Sequence, residues 1–275
     1  MCRFKTAIVT RTEVLHDLDI DLHEDLFTKF GLSDRTRFPD FVRVEMVPVD
    51  GDVFNQARKN WRLTVDQDYR PEWFSEKEAS EAVWDVVQAT FKARFLTTGQ
   101  VLGEVNNGRW YMNGSAIVKR LCDTAVIQEM RGTAMVGSVR DVSAVELVCG
   151  SARVGLACDS ATLKRVCGSA RVKLVHDSAT VKELCDSAAV EHVGGSATVE
   201  RVCGRAVVER LSGSATVERV CDSAAVKRVC GSATAIIYSR HASWEVHEKA
   251  VVICRYGSPM SIVVAEKGAK FEIRG

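Results

Sequence analysis

The chain has 275 residues, of which 46% are hydrophobic and 27% charged, and this composition is typical of one or two folded domains rather than of a disordered chain. The formal net charge is +1, so no overall field draws the chain towards nucleic acid or an anionic membrane. No apolar run approaches the roughly 18 residues of a membrane span, and the first residues lack the apolar centre of a signal peptide. We therefore expect a cytoplasmic protein with no membrane partner.

Residues 1–112 predict a small α/β domain, because most aromatic residues lie there, whereas residues 112–237 contain no aromatic residue and no proline. Ser75-Glu76-Lys77-Glu78 is a capping box, and the apolar residues after it have helical spacing, which predicts a long helix. The predicted elements, in chain order, are a hairpin of 4–10 with 13–19, a helix 22–30 ended by Gly31, strands 41–47 and 61–65, a helix 75–96, and a hairpin of 100–105 with 109–112.

Residues 114–248 divide into fifteen consecutive nine-residue units without insertion. The consensus is close to Gly/Asp-Ser-Ala-x-Val-x-x-Val-Cys, and we number its positions 1 to 9. A helix is excluded, because nine residues make about two and a half turns, and each unit's Ala and Val would emerge opposite those of the next. As a strand, the unit points positions 3 and 5 to one side, and the Gly or Asp at position 1 suits the positive φ of a corner.

Residues that recur every 18 positions give the size of one coil, since in a parallel solenoid each residue stacks on its equivalent one coil away. Position 1 alternates Gly and Asp through the first eight units, and positions 9 and 4 each hold a uniform column in every second unit. A coil of three units, or 27 residues, is the weaker alternative. The two columns are Cys149, Cys167, Cys185, Cys203 and Cys221 at position 9, and Thr162, Thr180, Thr198, Thr216 and Thr234 at position 4.

The sequence thus predicts a mainly β protein, a nonapeptide-repeat parallel β-solenoid with 18 residues per coil and a small α/β N-terminal domain. The predicted domains are 1–112, 113–248 for the solenoid, and 249–275 as a β cap over the open sheet edges. Strands are expected in the cap at 251–255, 261–265 and 270–273. Larger side chains at core positions 5 and 8 predict a plug at the end of the rod, formed by Ala235, Tyr238, Trp244 and His247.

The cysteine column and the Ser and Thr columns each have a functional and a structural interpretation. The cysteines suit core packing better than metal or redox chemistry, because stacked neighbours have poor disulfide geometry and no zinc-finger spacing exists. We therefore expect all ten cysteines to be reduced and free of metal. Ser at position 2 and Thr at position 4 predict a flat grid of hydroxyls that resembles the face of ice-binding solenoids. Thr is also simply favoured on exposed sheet surface.

Positions 6 and 7 form a band of mixed charge. Its arginines suit phosphate contacts, but most adjoin a Glu, which favours a solvated face over nucleic-acid binding. Asp17, Asp19 and Asp21 have the spacing of the first ligands of a calcium-binding loop, but the required Gly and bidentate Glu are missing. We therefore expect them on the solvent-exposed face of a strand. The six histidines show no metal spacing with carboxylates, and no phosphate loop, nucleotide fingerprint or nucleophile elbow exists.

The stretch from Asp66 to Trp73 reads Asp-Gln-Asp-x-x-Pro-Glu-Trp. Together with the capped helix and the short repeats that follow, it resembles a group of uncharacterised bacterial and phage proteins with a small α/β module before a short-repeat solenoid. The resemblance covers nearly the whole chain and implies a mobile-element accessory protein, with no activity to assign to residues. Physically, Pro71 fixes a turn, Trp73 is expected in the core, and Asp66 and Asp68 are expected to cap or line a groove.

No catalytic constellation supports an enzyme, and no cofactor is expected. The leading hypothesis is a non-catalytic interaction protein, phage- or mobile-element-encoded, whose rigid solenoid docks a protein partner. The alternative is a protein that sequesters a small molecule or nucleotide between the first domain and the first coils. A purely structural or ice-binding role is a further alternative. The candidate partner or ligand residues are Asp66, Asp68, Trp73, Trp110, Arg201, Arg210, Arg219 and Arg228.

Overall fold

The computed structural model describes residues 4–33, 38–247, 249–255 and 261–264, the last four by their backbone alone. The chain is mainly β and divides into two compact units, Met1–Phe95 and Leu96–Gly275. We call the first unit the head domain and the second the solenoid. The solenoid thus begins about one coil before residue 112, where the aromatic residues end in the sequence. No helix in the described part of the chain is both long and apolar enough to cross a membrane.

The head domain contains a four-stranded antiparallel sheet in the order β2-β1-β3-β4, with two α-helices. A short 3-10 helix, Arg58–Asn60, precedes the last of its strands. The first hairpin is confirmed, although its second strand is shorter than predicted. The elements are β1 Lys5–Val9, β2 Val14–Leu15, α1 His23–Phe30, β3 Val42–Pro48, β4 Trp61–Val65 and α2 Glu76–Arg94.

The start of α2 and the end of α1 are set by the capping residues predicted from the sequence. Ser75 caps α2, its Oγ accepting a hydrogen bond from the Glu78 N–H at 3.3 Å. Gly31 ends α1 at φ +66°, and its N–H donates to the Phe27 carbonyl. Pro71 forms the predicted turn, which closes through the Phe74 N–H and the Pro71 carbonyl at 3.0 Å.

Large aromatic side chains fill the core of the head domain between the sheet and α2. The rings of Phe4 and Trp61 lie 4.7 Å apart, and those of Phe91 and Phe95 lie 4.9 Å apart, centroid to centroid. These side chains are buried, and their edge-to-face arrangement adds to the free energy gained by burial.

The solenoid consists of two long, mainly parallel sheets with about nine turns. One sheet has nine strands, in the order β22-β20-β18-β16-β14-β12-β10-β8-β6, and the other has eleven, in the order β24-β23-β21-β19-β17-β15-β13-β11-β9-β7-β5. The strands are β5 Phe95–Leu96, β6 Val101–Val105, β7 Arg109–Met112, β8 Ile117–Leu121, β9 Val126–Met130, β10 Met135–Val139, β11 Ala144–Val148, β12 Arg153–Ala157, β13 Thr162–Val166, β14 Arg171–Val175, β15 Thr180–Leu184, β16 Ala189–Val193, β17 Thr198–Val202, β18 Val207–Leu211, β19 Thr216–Val220, β20 Ala225–Val229, β21 Thr234–Ile237, β22 Ser243–Val246, β23 Val251–Cys254 and β24 Ser261–Val264.

The predicted coil of 18 residues is confirmed by the strand register. Thr162 pairs with Thr180, Thr180 with Thr198, and Thr198 with Thr216, so a 27-residue coil is excluded. Positions 3, 5 and 8 point into a continuous core of Ala, Val and Leu, while positions 4, 6 and 7 face outwards. Corners turn at position 1, where Gly and Asp adopt positive φ between 51° and 71°, as predicted.

Residues 100–112 do not form the predicted hairpin. β6 and β7 pair in parallel with β8 and β9, respectively, and therefore belong to opposite sheets. The Asn106-Asn107-Gly108 sequence turns the chain at a solenoid corner rather than in a hairpin. A hairpin turn and a solenoid corner can have the same local sequence. The pairing of β6 with β8 and of β7 with β9 decides that this turn is a corner.

The end of the solenoid differs in part from the predicted plug. Ala235 and Trp244 are buried in the core, but Ile237 and Val246 take the second core position in place of Tyr238 and His247. The strands shorten here from five residues to four and alternate strictly, so one fewer residue separates the two inward side chains. β23 and β24 follow as an antiparallel pair at one end of the eleven-stranded sheet; the predicted strand 270–273 lies outside the described residues.

Candidate functional site

The solenoid presents two outward sheet surfaces of different chemistry. We call them the threonine face, on the eleven-stranded sheet, and the leucine face, on the nine-stranded sheet. The four candidate arginines do not form one band: Arg201 and Arg219 lie on the threonine face, and Arg210 and Arg228 on the leucine face. Successive units alternate between the sheets, so neighbours in the repeat cannot share a face.

The threonine face carries a single column of hydroxyls among paired charges. Its five threonines stack coil on coil, but the position 2 serines lie in the corner turns and not on the flat sheet, so the predicted grid is wrong. Ion pairs join neighbouring coils on this face. Lys164 lies 2.7 Å from Glu146, and Arg165 lies 3.3 Å from Glu183. Other charges of this face, among them Lys182, Glu200 and Arg201, form no ion pair with a described residue.

On the leucine face, positions 6 and 7 are mostly uncharged in three adjacent strands, β10, β12 and β14. At position 7, Leu156 of β12 pairs in register with Leu174 of β14, and both are half-buried, while Met135 at position 4 of β10 is 39% exposed. Gly137 and Gly155 occupy position 6. We call the outward residues of β10, β12 and β14 the leucine strip: Met135, Gly137, Arg153, Gly155, Leu156, Arg171, Lys173 and Leu174. Ser138, at position 7 of β10, is buried.

The two glycines leave position 6 of β10 and β12 without a side chain. A Cβ on Gly155 would lie 2.4 Å from the Gly137 carbonyl oxygen, and one on Gly137 would lie 2.5 Å from that of Lys119. Neighbouring coils approach so closely here that no side chain fits. Leu156 and Leu174 therefore border a floor formed by the backbone.

The leucine strip carries three positive charges and no acidic group. Arg153 and Arg171 stack on each other at position 4, and Lys173 follows at position 6. These three side chains are exposed and form no ion pair with any described residue. An unpaired positive rim beside an apolar surface is suited to a partner that supplies both carboxylates and apolar side chains.

The stacked cysteines lie at corners, against the core. Cys185 lies beside Cys167 in the next coil, their Sγ atoms within 4.8 Å of each other and of an Asp186 carboxylate oxygen. Burial raises the pKa of Cys167 to about 11, and of Cys158 also to about 11. Such thiols are protonated at neutral pH, which favours the packing interpretation over reactivity. The expectation that they bind no metal remains a prediction.

In the head domain, the Asp-Gln-Asp stretch extends the sheet beyond β4. The Gln67 side chain behaves like a further peptide unit: its Oε1 accepts from the Arg43 N–H at 2.9 Å, and its Nε2 donates to the Phe41 carbonyl at 3.1 Å. The Asp66 N–H also donates to the Arg43 carbonyl, at 2.9 Å. This fixes Asp66, whose Oδ2 lies 3.3 Å from His23 Nδ1, while Asp68 is exposed.

The two candidate tryptophans belong to different units. Trp73 of the head domain is half-buried rather than a core residue, and its Nε1 donates to Asp40 at 2.7 Å. It lines a groove of about 230 Å³ with Arg11 and Glu13, smaller than most ligand pockets. Trp110 lies in β7 and packs against the solenoid core.

The acidic residues that open like a calcium loop lie after β2 and not on a strand. Asp17 pairs with Lys29, and Asp19 pairs with Arg94 at 2.8 Å. Because cations of the domain itself neutralise both carboxylates, the arrangement is explained by packing of this loop against the two helices.

No family model, no curated protein and no solved structure matches this chain. The leucine strip was missed in the sequence, although its signal is present: positions 6 and 7 read Gly-Ser, Gly-Leu and Lys-Leu in the third, fifth and seventh units, where other units carry charges. Because these units lie 18 residues apart, the predicted coil length already places them on neighbouring strands of one sheet.

Proposed function

We propose that this protein is a non-catalytic interaction protein whose solenoid docks a protein partner on the leucine face. The observation that carries the proposal is the leucine strip, where apolar side chains and a backbone floor adjoin three unpaired cations on adjacent coils. The regular coils hold these groups at fixed spacing, so little conformational entropy is lost on binding.

The dimensions of the leucine strip indicate the kind of partner. Three strands about 4.8 Å apart and five residues long make a surface of about 10 Å by 17 Å between backbone atoms, wider with side chains. This is small for a whole interface, which buries about 800 Å² per partner, but it suits the centre of one. We propose a partner segment with apolar side chains flanked by Asp or Glu.

The experiment compares substitutions on the two faces. The double variant Leu156→Glu/Leu174→Glu places carboxylates in the strip, and the matched control Leu147→Glu places one at position 7 of the threonine face. Each purified chain is used to capture partners from a lysate, and the complexes are weighed by native mass spectrometry. We expect one stoichiometric protein with the wild type and Leu147→Glu, and its loss with the double variant.

A second pair of substitutions tests the charge of the partner. Arg153→Glu/Arg171→Glu is expected to abolish capture and Arg153→Lys/Arg171→Lys to retain it. Retention of the same partner by both glutamate variants would overturn docking on the leucine face. Capture of a small molecule instead of a protein would favour the sequestering alternative, and thermal hysteresis of the free protein would favour ice binding through the threonine column.

The origin in a phage or mobile element and the cytoplasmic location stay predictions. Neither is needed for the docking proposal, which depends only on the residues of the solenoid.

A further inference from the structure

Three side chains from separate elements of the head domain converge around one point. His23 begins α1, Glu45 lies on β3, and Asp66 follows β4. One ring nitrogen of His23 and one carboxylate oxygen of each acidic residue could act as ligands, and these three atoms lie within 4.8 Å of one another. The His23 side chain is only 4% exposed, whereas that of Asp66 is 59% exposed, so the cluster has a buried end and an open end.

The hydrogen bond at the other ring nitrogen fixes the histidine. Its Nε2 lies 3.2 Å from the Val44 carbonyl oxygen. A carbonyl can only accept, so Nε2 carries hydrogen and Nδ1 is the atom that faces the carboxylates. Histidine ligands of metals are oriented in this way, with the second nitrogen donating to a backbone carbonyl or a carboxylate.

With hydrogen on Nε2, the Nδ1 atom has a lone pair that a cation can share with the two carboxylates. A divalent cation interacts with all three ligand atoms. The distance between His23 Nδ1 and Asp66 Oδ2 is 3.3 Å. Two ligand atoms on one tetrahedral Zn²⁺ are separated by about 3.4 Å, given bonds of about 2.1 Å.

We propose that His23, Glu45 and Asp66 form a binding site for a divalent transition-metal cation such as Zn²⁺. One imidazole and two carboxylates suit a cation of borderline softness better than Mg²⁺ or Ca²⁺, which prefer oxygen ligands alone. The exposed side of Asp66 leaves a fourth position for water. Because the three ligands come from α1, β3 and the end of β4, the cation crosslinks these elements. The inference is independent of the docking proposal, which concerns the solenoid.

The first test is equilibrium dialysis of the full-length protein against Zn²⁺, with circular dichroism to confirm folding. Asp66→Asn removes one charged ligand, and Asp68→Asn makes the same chemical change two residues away as the matched control. We expect one strongly bound Zn²⁺ in the wild type and in Asp68→Asn, and affinity weakened at least about tenfold in Asp66→Asn and His23→Gln. Equal affinity in Asp66→Asn and wild type would overturn the site, as would no binding by the wild type.

The second test separates this site from the cysteines. Co²⁺ bound by nitrogen and oxygen has visible d–d bands without the near-ultraviolet charge-transfer band that thiolate ligands produce. The variant Cys167→Ser/Cys185→Ser removes the cluster of two thiols with Asp186, and adding Cys158→Ser also removes the cluster of one thiol with Asp159 and Asp177; none of these residues lies in the head domain. We expect it to keep the Co²⁺ spectrum and the Zn²⁺-induced rise in Tm. Loss of binding in this variant would assign the metal to the thiols and contradict the proposal. If His23→Gln does not fold, Glu45→Gln provides the second ligand variant.

Discussion

The head domain and the solenoid reach stability in opposite ways. In the head domain, a few large side chains from distant parts of the chain, among them Phe4, Trp61 and Phe91, pack in one cluster where no two have the same surroundings. In the solenoid, small Ala and Val side chains repeat in every coil, and each contacts its equivalents above and below. The difference teaches that the head domain depends on single irreplaceable residues, whereas the solenoid spreads its stability over equivalent neighbours.

Removal of residues 177–194 tests the equivalence of the coils. We expect a folded protein with one coil fewer, because Thr162 then stacks on Thr198 and Cys167 on Cys203. Removal of 177–185 alone, half a coil, moves every later strand to the opposite sheet and breaks the threonine column. A short thiol-reactive crosslinker such as a bismaleimide should join Cys167 to Cys203 in the first variant and not in the second, as mass spectrometry of tryptic peptides would show. An identical crosslink in both variants would contradict the two-unit coil.

Truncation of one core side chain in each unit compares their sensitivity to single residues. Trp61→Ala is expected to destabilise the head domain by about 3–5 kcal/mol, since the indole packs on Phe4 and Phe91 and is only 3% exposed. Val181→Ala removes two buried carbon atoms and should cost the solenoid about 1–3 kcal/mol. Denaturant titration followed by circular dichroism measures both. A greater loss for Val181→Ala would reverse the comparison.

Aspartates at solenoid corners do more than tolerate positive φ. Asp186, at φ +58°, accepts a hydrogen bond on Oδ2 from the Gly168 N–H of the preceding coil at 2.9 Å. Asp186→Ala should lower the free energy of unfolding by about 2–3 kcal/mol. The variant loses this hydrogen bond, and alanine has no polar side chain to stabilise the left-handed backbone conformation. Asp186→Gly should cost about 1 kcal/mol, since Gly accepts this conformation. Thermal unfolding of the two variants distinguishes them, and equal losses would show that backbone strain is unimportant.

The thiols of the solenoid should react slowly in the native state. Burial raises the pKa of Cys158 and Cys167 to about 11, so the thiolate fraction stays low until the pH approaches that value. Iodoacetamide at neutral pH should therefore label them far more slowly than in denaturant, where all ten cysteines of the chain should be modified. The rate should rise with pH in the native protein. Fast labelling of Cys167 at neutral pH, or a pair resistant to alkylation after denaturation, would contradict this.

The repeat allowed more to be predicted than the irregular parts of the chain. The columns at positions 4 and 9 predicted an 18-residue coil, and the capping box at Ser75 predicted the long helix, because both features depend on local sequence or strict period. The hairpin at 100–112 failed because strand pairing is a choice between partners, and the sequence around Gly108 is compatible with either. Tyr238 and His247 failed because the strands shorten by one residue while the sequence period continues.

The candidate sites show the same limit. Asp66 was singled out from sequence, but not the His23 that it faces. The two are 43 residues apart and meet because His23 contacts Val44 of β3, which pairs with Val65 next to Asp66. The arginines at position 7 were identified correctly as outward, yet their division between two faces depends on which sheet each unit joins.

The sequence by itself determined the solenoid: its coil length, its inward positions and its glycine and aspartate corners, since a strict repeat makes every local preference agree with the same structure. The tertiary structure alone decided where the solenoid begins and which side chains meet in the head domain. β6 pairs with β8 and not with β7, and His23 lies against Asp66, 43 residues away in the chain. Such juxtapositions arise from hydrogen bonding between distant strands, which no local pattern of residues encodes.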